Sequence, residues 1–165
     1  MLSGETAVGR FPVEAVSMLT KIALRTERNF PHAEFLHRQE PARRYLVEEA
    51  ISRATCQTAD ELGARAIITS TQTGATARMV SRYRPRAPII AATPDRTVAR
   101  QLLVCWGVMP VEVAPTEDID AMLKVTVEAA LKTGLVRPGE IGVITAGLRP
   151  GVPGSTNLMK VHVME

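Results

Sequence analysis

Residues 66–80, AIITSTQTGATARMV, constrain the fold more than any other stretch of this sequence. The run from Ala66 to Thr69 is short and rich in β-branched residues, which predicts a buried strand. A hydroxyl-rich turn containing Gly74 follows, and a helical pattern begins near Ala77. This order is typical of anion sites, because the first N–H groups of a helix lack partners and its dipole favours negative charge. The turn is therefore a candidate phosphate-binding loop.

A simpler interpretation of the turn stays open. Threonines at the start of a helix are ordinary N-caps, and Thr71, Thr73 and Thr76 fit that role. Under the phosphate-binding interpretation the same hydroxyls add donors, and Gly74 lets the backbone approach a ligand closely. The local pattern does not decide between the two.

Strands and helices alternate after Gly63. Strands are predicted at 66–69, 88–93, 108–113, 141–145 and about 158–164. Repeated β-α units predict an α/β fold, with a parallel sheet covered by helices on both faces. The last connection carries no helix, so we expect the fifth strand to be antiparallel to its neighbour. Pro110 indicates an edge position for the third strand.

The helices are predicted from apolar periodicity and from their boundary residues. They are expected at 11–29, from 41 or 42 to about 62, and at 77–84, 95–105 and 116–134. The second could be one long helix or could break around Gln57 and Thr58. The first carries an apolar stripe that includes Val13, Val16, Leu19 and Ile22. Asp95 is the predicted N-cap of the fourth helix. The segment 29–32 is predicted to end the first helix and separate it from the second.

Composition excludes several classes of function. The net charge is +3, from 20 basic and 17 acidic residues, with no continuous basic stripe, which argues against a nucleic-acid partner. The densest basic cluster, within 78–86, is interpreted as a solvated helix end. No apolar run is long enough for a membrane span. Cys56 and Cys105 lie in apolar helical patterns and are interpreted as core thiols in a reducing, cytoplasmic compartment.

A second loop, 147–157, also follows the carboxyl end of a predicted strand. It holds three glycines at 147, 151 and 154, two prolines, Arg149 and small hydroxyls, which suits wrapping around a polar ligand. A plain surface crossover is an equally good interpretation. Ligands of open α/β sheets bind beyond the carboxyl ends of strands, so the two loops can share a crevice.

Catalytic groups are not clustered in the sequence. His32, His37 and His162 are scattered, so no metal site is predicted. Neither a nucleophile elbow nor a nucleophile–base pair is evident. We expect no complete active site within this chain.

Three segments resemble the pyruvate kinase family. They are 1–16 (MLSGETAVGRFPVEAV), 83–91 (YRPRAPIIA) and 153–161 (PGSTNLMKV). The likeness extends over essentially the whole chain in the family's order. The chain is therefore identified as the C-terminal portion of a bacterial-type pyruvate kinase, cut from the longer enzyme. Residues 1–29 would be the end of the catalytic barrel, and residues 30–165 the C-terminal α/β domain.

The resemblance implies a three-layer α/β/α fold with a five-stranded mixed sheet in the order 3-2-1-4-5, the last strand antiparallel. It implies an allosteric effector site between the two loops, and a subunit interface within a homo-oligomer. The effector phosphate-binding residues would be Thr71, Gln72, Thr73, Gly74, Ala75 and Thr76. The effector loop would contribute Arg149, Gly151, Gly154 and Ser155.

The sequence departs from the family pattern in three respects. Enzymes activated by fructose 1,6-bisphosphate carry cations in the first loop, where this chain has Gln72 and Ala75. The arginine used for the second phosphate aligns near Met122, so a sugar monophosphate or nucleoside monophosphate fits better. The catalytic lysine and the metal-binding acids lie upstream, so magnesium and potassium are expected only in the full enzyme. Thr6 resembles a substrate-contacting threonine, a remnant that cannot act alone.

Two functions follow from these observations. One is a regulatory domain that couples effector occupancy to a catalytic barrel elsewhere. The other is a purely structural module for tetramer assembly, with an empty crevice. The chain by itself is expected not to be an enzyme.

Overall fold

The computed structural model describes residues 2–38, 46–116, 118–147 and 155–165. The chain divides into two compact units, Met1–Pro31 and His32–Glu165. The first unit contains the short helix α1 (Gly4–Ala7) and the helix α2 (Pro12–Glu27). Among the described residues, no helix is long and apolar enough to cross a bilayer.

Helix α2 lies within the predicted range 11–29. Pro12 opens it at the first turn, where the missing N–H of proline has no cost. The predicted apolar stripe is present, but no residue of α2 is buried. Val13 and Ile22, for example, are 73% and 55% exposed.

The second unit begins with α3 (His32–Arg38) and α4 (Val47–Glu61). The interruption of the helix predicted at 29–32 is correct, but the sequence pattern did not predict that α3 would follow it. The predicted start of the next helix, at 41 or 42, lies outside the described residues. Within the described part, α4 continues to Glu61, and Cys56 and Ala59 on its inner face are buried.

Five strands form one sheet: β1 (Ala66–Ser70), β2 (Ile89–Thr93), β3 (Val108–Glu112), β4 (Ile141–Gly147) and β5 (Thr156–Val163). Their order is β3-β2-β1-β4-β5. The first four pair in parallel, and β5 is antiparallel to β4. The mixed sheet and its order confirm the predicted fold class, including the edge position of the strand with Pro110.

Helices cover both faces of the sheet. They are α5 (Ala75–Arg82), α6 (Arg96–Leu102) and α7 (Ile119–Lys132), together with α3 and α4. Since side chains alternate along a strand, Ile67 faces α4 and α5, whereas Ile68 faces α7. Ala91 packs with α5 and α6. Helix α7 therefore covers one face alone, and the result is a three-layer α/β/α unit.

The second cysteine corrects a prediction. Helix α6 ends at Leu102, so Leu103 and Cys105 lie beyond it instead of on it. Cys105 is half-buried, and Leu103 next to it is exposed. Apolar residues continue past the helix, and that continuation misled the periodicity argument. The Asp95 cap is confirmed, since its carboxylate accepts hydrogen bonds from the backbone N–H groups of Thr97 and Val98.

The two thiols should differ in reactivity. Burial raises the pKa of the Cys56 thiol from its ordinary value of 9.0 to about 12. We expect dithionitrobenzoate at pH 8 to modify Cys105 in the native protein, and Cys56 only after denaturation. Rapid modification of both thiols without denaturant would contradict the buried position of Cys56.

The same pKa shift sets a pH dependence. Between pH 9 and about 12 the unfolded chain loses the Cys56 proton while the folded chain keeps it. Stability that is fully present below pH 9 is therefore lost as the pH rises towards 12. Urea titrations of wild type and Cys56→Ala should show a steeper alkaline loss for the wild type.

Candidate functional site

Two chain segments leave the same edge of the sheet side by side. Ser70 at the end of β1 pairs with Ala146 near the end of β4. Residues 71–76, here called the Thr loop, follow β1 and lead into α5. The segment after Gly147 leads into β5. The parallel pairing of β1 and β4 puts both starting points at the carboxyl edge, where open α/β sheets bind ligands.

Internal hydrogen bonds hold the Thr loop. The backbone N–H of Thr71 donates to the carbonyl of Ala92 at 2.9 Å, which joins the loop to β2. Thr71 Oγ1 accepts from the N–H of Gly74 at 2.9 Å, and Thr73 Oγ1 accepts from the N–H of Ala75 at 3.4 Å. These two hydroxyls therefore stabilise the turn. Neither is the helix N-cap that the simpler interpretation predicted, because the N-cap of α5 is Gly74, which has no side-chain cap.

Gly74 is the N-cap of α5 and has a φ of +80°, in the left-handed region. A Cβ at this position would lie 2.8 Å from Nη1 of Arg78 and 3.2 Å from Cγ1 of Val98. The left-handed backbone conformation favours glycine here, and any side chain would also displace the Arg78 guanidinium from its position. The tight turn that results brings the amides of the loop towards the start of α5.

Four backbone N–H groups at this turn have no partner among the described residues. They belong to Gln72, Thr73, Thr76 and Ala77. The last two lie in the first turn of α5, where the positive end of the helix dipole adds to them. Unpaired donors at a helix start are suited to binding an oxyanion.

The Thr loop is linked to the beginning of β5. The hydroxyls of Thr76 and Thr156 are 2.6 Å apart, and both side chains are buried. Ser155 packs so closely on Gly147 that a Cβ on this glycine would collide with the serine hydroxyl. The structure thus brings Ser155, one predicted effector-loop residue, to the edge that carries the Thr loop. The other three, Arg149, Gly151 and Gly154, lie outside the described residues.

Arg78 is a site residue that the sequence argument missed. It belongs to the basic cluster that was interpreted as a solvated helix end. Its Nη1 donates to the carbonyl of Thr73 at 2.8 Å, and its Nη2 donates to Oε1 of Gln101 at 3.0 Å. The available signal was its spacing, because a long side chain one turn into a helix can reach back over the helix start.

The rest of the basic cluster serves other contacts. Arg82 lies 3.5 Å from Glu49 of α4. The Arg84 guanidinium stacks on the rings of Trp106 and Phe35, at 4.8 and 5.4 Å from their centroids. Both side chains are exposed, so the prediction of a solvated surface is correct in part. Arg82 also links α5 to α4, and Arg84, which follows α5, links the chain to Phe35 and Trp106.

Thr6 lies in the first unit, on α1, and donates its hydroxyl to the carbonyl of Ser3 at 3.0 Å. This bond is local, and no catalytic arrangement around it is described. Among the described residues no group of three or more histidine, cysteine or acidic side chains is placed to hold a metal ion.

Comparison with known proteins gives a consistent result. Residues 49–162 match the family model described as pyruvate kinase, alpha/beta domain. Pyruvate kinase from Geobacillus stearothermophilus is 47% identical over 164 residues, 99% of this chain and 28% of the relative. Pyruvate kinase from Clostridium acetobutylicum is 44% identical over the whole chain and 35% of the relative, and pyruvate kinase 2 from Synechocystis is 43% identical over the whole chain and 27% of the relative. The chain spans about a third or less of these relatives.

The hydroxyl pair between α5 and β5 should show energetic coupling. Replacing Thr76 or Thr156 by valine leaves the other buried hydroxyl without its partner, which should cost about 1–3 kcal/mol of unfolding free energy. The double variant removes both hydroxyls, so its loss should be smaller than the sum of the two by about 1 kcal/mol. Urea denaturation measures all three, with the exposed Thr97→Val as the control. Strictly additive losses would show that the pair is not coupled.

Proposed function

The chain belongs to the family of pyruvate kinase alpha/beta domains, and we propose that it is a regulatory domain that binds a phosphorylated effector. In the full enzyme, which would convert phosphoenolpyruvate and ADP to pyruvate and ATP, effector occupancy would be coupled to a catalytic barrel outside residues 30–165. The effector would lie between the Thr loop and the segment 147–157, with Arg149, Gly151, Gly154 and Ser155 on the second side.

The observation that supports this proposal most directly is the set of four backbone N–H groups, in the Thr loop and the first turn of α5, that have no partner among the described residues. A phosphate group can accept hydrogen bonds from several of them at once, with the helix dipole adding to the attraction. The hydrogen bonds of the Thr71 and Thr73 hydroxyls do not compete with this, because they use the N–H groups of Gly74 and Ala75. Stabilisation of the turn and phosphate binding are therefore compatible.

Charge limits the class of effector. Gln72 and Ala75 are uncharged, so the loop itself supplies neutral donors. One phosphate suits such a site better than two, which favours a sugar monophosphate or a nucleoside monophosphate. Hydrogen bonds to a charged group contribute about 1.5–3 kcal/mol each, so three or four can support binding near 1 μM, which needs about 8 kcal/mol.

A structural assembly module is the second candidate. The sheet ends in β5, an edge strand on which Val161 and Val163 are 44% and 53% exposed. An unpaired strand edge with apolar side chains favours association with another copy. We propose a homo-oligomer in either case, and the candidates differ in whether the carboxyl edge binds a ligand.

Thermal unfolding separates the two candidates. Glucose 6-phosphate, ribose 5-phosphate and AMP should be compared with glucose, ribose and adenosine. A concentration of 100 times Kd contributes about 2.7 kcal/mol, which should raise Tm by about 5–10 °C. At least one phosphorylated compound should show this shift and its unphosphorylated partner should not. If none of the phosphorylated compounds raises Tm, the result would favour the assembly module.

A charge placed in the Thr loop tests the location. Thr73→Asp brings a carboxylate to the unpaired amides and should abolish the Tm shift. Thr97→Asp makes the same change in the first turn of α6 and should leave the shift intact. If the Tm shift is unchanged in Thr73→Asp, the effector does not bind at this loop. No turnover of phosphoenolpyruvate and ADP by the chain is expected, and measured turnover would overturn the regulatory assignment.

A further inference from the structure

We propose that Arg78 is a direct ligand of the effector phosphate, and that its Nη2 exchanges the bond to Gln101 for a phosphate oxygen when the effector binds. This inference rests on the proposed function and adds the charged group that the Thr loop lacks. In the structure Nη1 contacts the carbonyl of Thr73 at 2.8 Å and Nη2 contacts Gln101 at 3.0 Å. The side chain thus connects the loop with α6.

The guanidinium lies directly against the turn. A Cβ on Gly74 would be 2.8 Å from Nη1 and 3.2 Å from Cζ of Arg78. Thr73, whose carbonyl holds Nη1, also has one of the unpaired N–H groups. The charged group and the amide donors are therefore within one turn of each other, and a single phosphate can contact both.

Arg78 has no compensating carboxylate among the described residues. Three other arginines face a glutamate at 3.5–3.9 Å, in the pairs Arg65–Glu140, Arg82–Glu49 and Arg96–Glu112. Both hydrogen-bond partners of Arg78 among the described residues are neutral oxygens. Exchanging a neutral amide oxygen for a phosphate oxygen gives a hydrogen bond in which donor and acceptor are both charged, which is the stronger of the two. Gln101 is on the exposed side of α6, so water can replace the guanidinium there.

The geometry defines the ligand class more narrowly. A guanidinium has five donors in a planar fork that matches two oxygens of a phosphate. With one such group, the site should prefer the dianion of a phosphate monoester over a monoanion such as a carboxylate. The second pKa of a phosphate monoester is about 6, so wild-type affinity should fall as the pH drops through that value. This fall should be smaller when the cation at position 78 is removed.

Binding to four variants tests the assignment. AMP and ribose 5-phosphate are titrated by calorimetry into wild type, Arg78→Gln, Arg78→Lys, Arg100→Gln and Gln101→Leu. Arg78→Gln should weaken binding by about tenfold or more, and Arg78→Lys should weaken it less. Arg100→Gln removes the same charge from an exposed position on α6 and should change affinity by less than about twofold.

Gln101→Leu separates a direct contact from a positioning role. If Gln101 only competes with the phosphate for Nη2, its removal should leave affinity unchanged or higher. A loss as large as that of Arg78→Gln would show that the bridge to α6 positions the loop, and would overturn the direct contact.

The remaining outcomes are also decisive. Wild-type binding that Arg78→Gln leaves unchanged would overturn this inference, while the proposed function would stand. If neither AMP nor ribose 5-phosphate nor any other phosphate ester binds the wild type, both the role of Arg78 and the proposed function would be overturned. The wild type would then also show no Tm shift with which Thr73→Asp could be compared.

Discussion

The pairing of β1 on both sides is the interaction on which the rest of this structure depends. Its residues 66–69 are completely buried, between β2 on one side and β4 on the other. A strand in that position needs every backbone group in a ladder and apolar side chains on both faces, and Ala66, Ile67 and Ile68 meet this requirement. Thr69 does not, because its buried hydroxyl has no hydrogen-bond partner among the described residues. The N–H of Thr71 makes the last bond to β2, at the carbonyl of Ala92, and from Gln72 onwards the amides face a turn instead of another strand.

The candidate site is a direct result of that ending. The chain turns sharply at Gly74 and enters α5. The backbone N–H groups that follow the last bond of β1 therefore lie next to those of the first helical turn, which have no acceptor within the helix. Thr71 and Thr73 satisfy two of them internally. The others lie between the end of β1 and the start of α5, an arrangement that would cost little entropy if an anion bound there. Arg78 adds a positive charge to this neutral arrangement without leaving the helix.

The sheet was predictable from the sequence because its signals are local. β-Branched runs and the helix-free last connection predicted all five strands, and Asp95 marked a helix start by its own chemistry. Features that depend on tertiary contacts were not predictable. Helix α3 is short and follows a Pro-containing break, and its Leu36 is buried against α4 and the sheet. Cys105 lies where the chain leaves α6 in a turn that periodicity did not show.

The sequence indicates where the candidate site lies but not its contacts, and effector binding there stays a prediction. The Thr loop stood out through its strand–turn–helix order, whereas Arg78 was grouped with its neighbours because linear spacing does not show where a long side chain bends. Its partner Gln101 lies on a different helix, and no local pattern connects the two. The link between Thr76 and Thr156 depends on the strand order, which the residues alone left open until the family resemblance supplied it.

The strand order also affects how the molecule is made. During synthesis β1, β2 and β3 emerge from the ribosome one after another. The strand on the other side of β1 is β4, which emerges only after all of α7. During synthesis the central strand β1 therefore has one open side until residues 141–147 have left the exit tunnel, and long-range parallel pairing is slow to form. The pairing of β1 with β4, which places the two loops at one edge, thus also leaves the nascent chain open to aggregation. We expect the centre of the sheet to be completed among the last steps of folding.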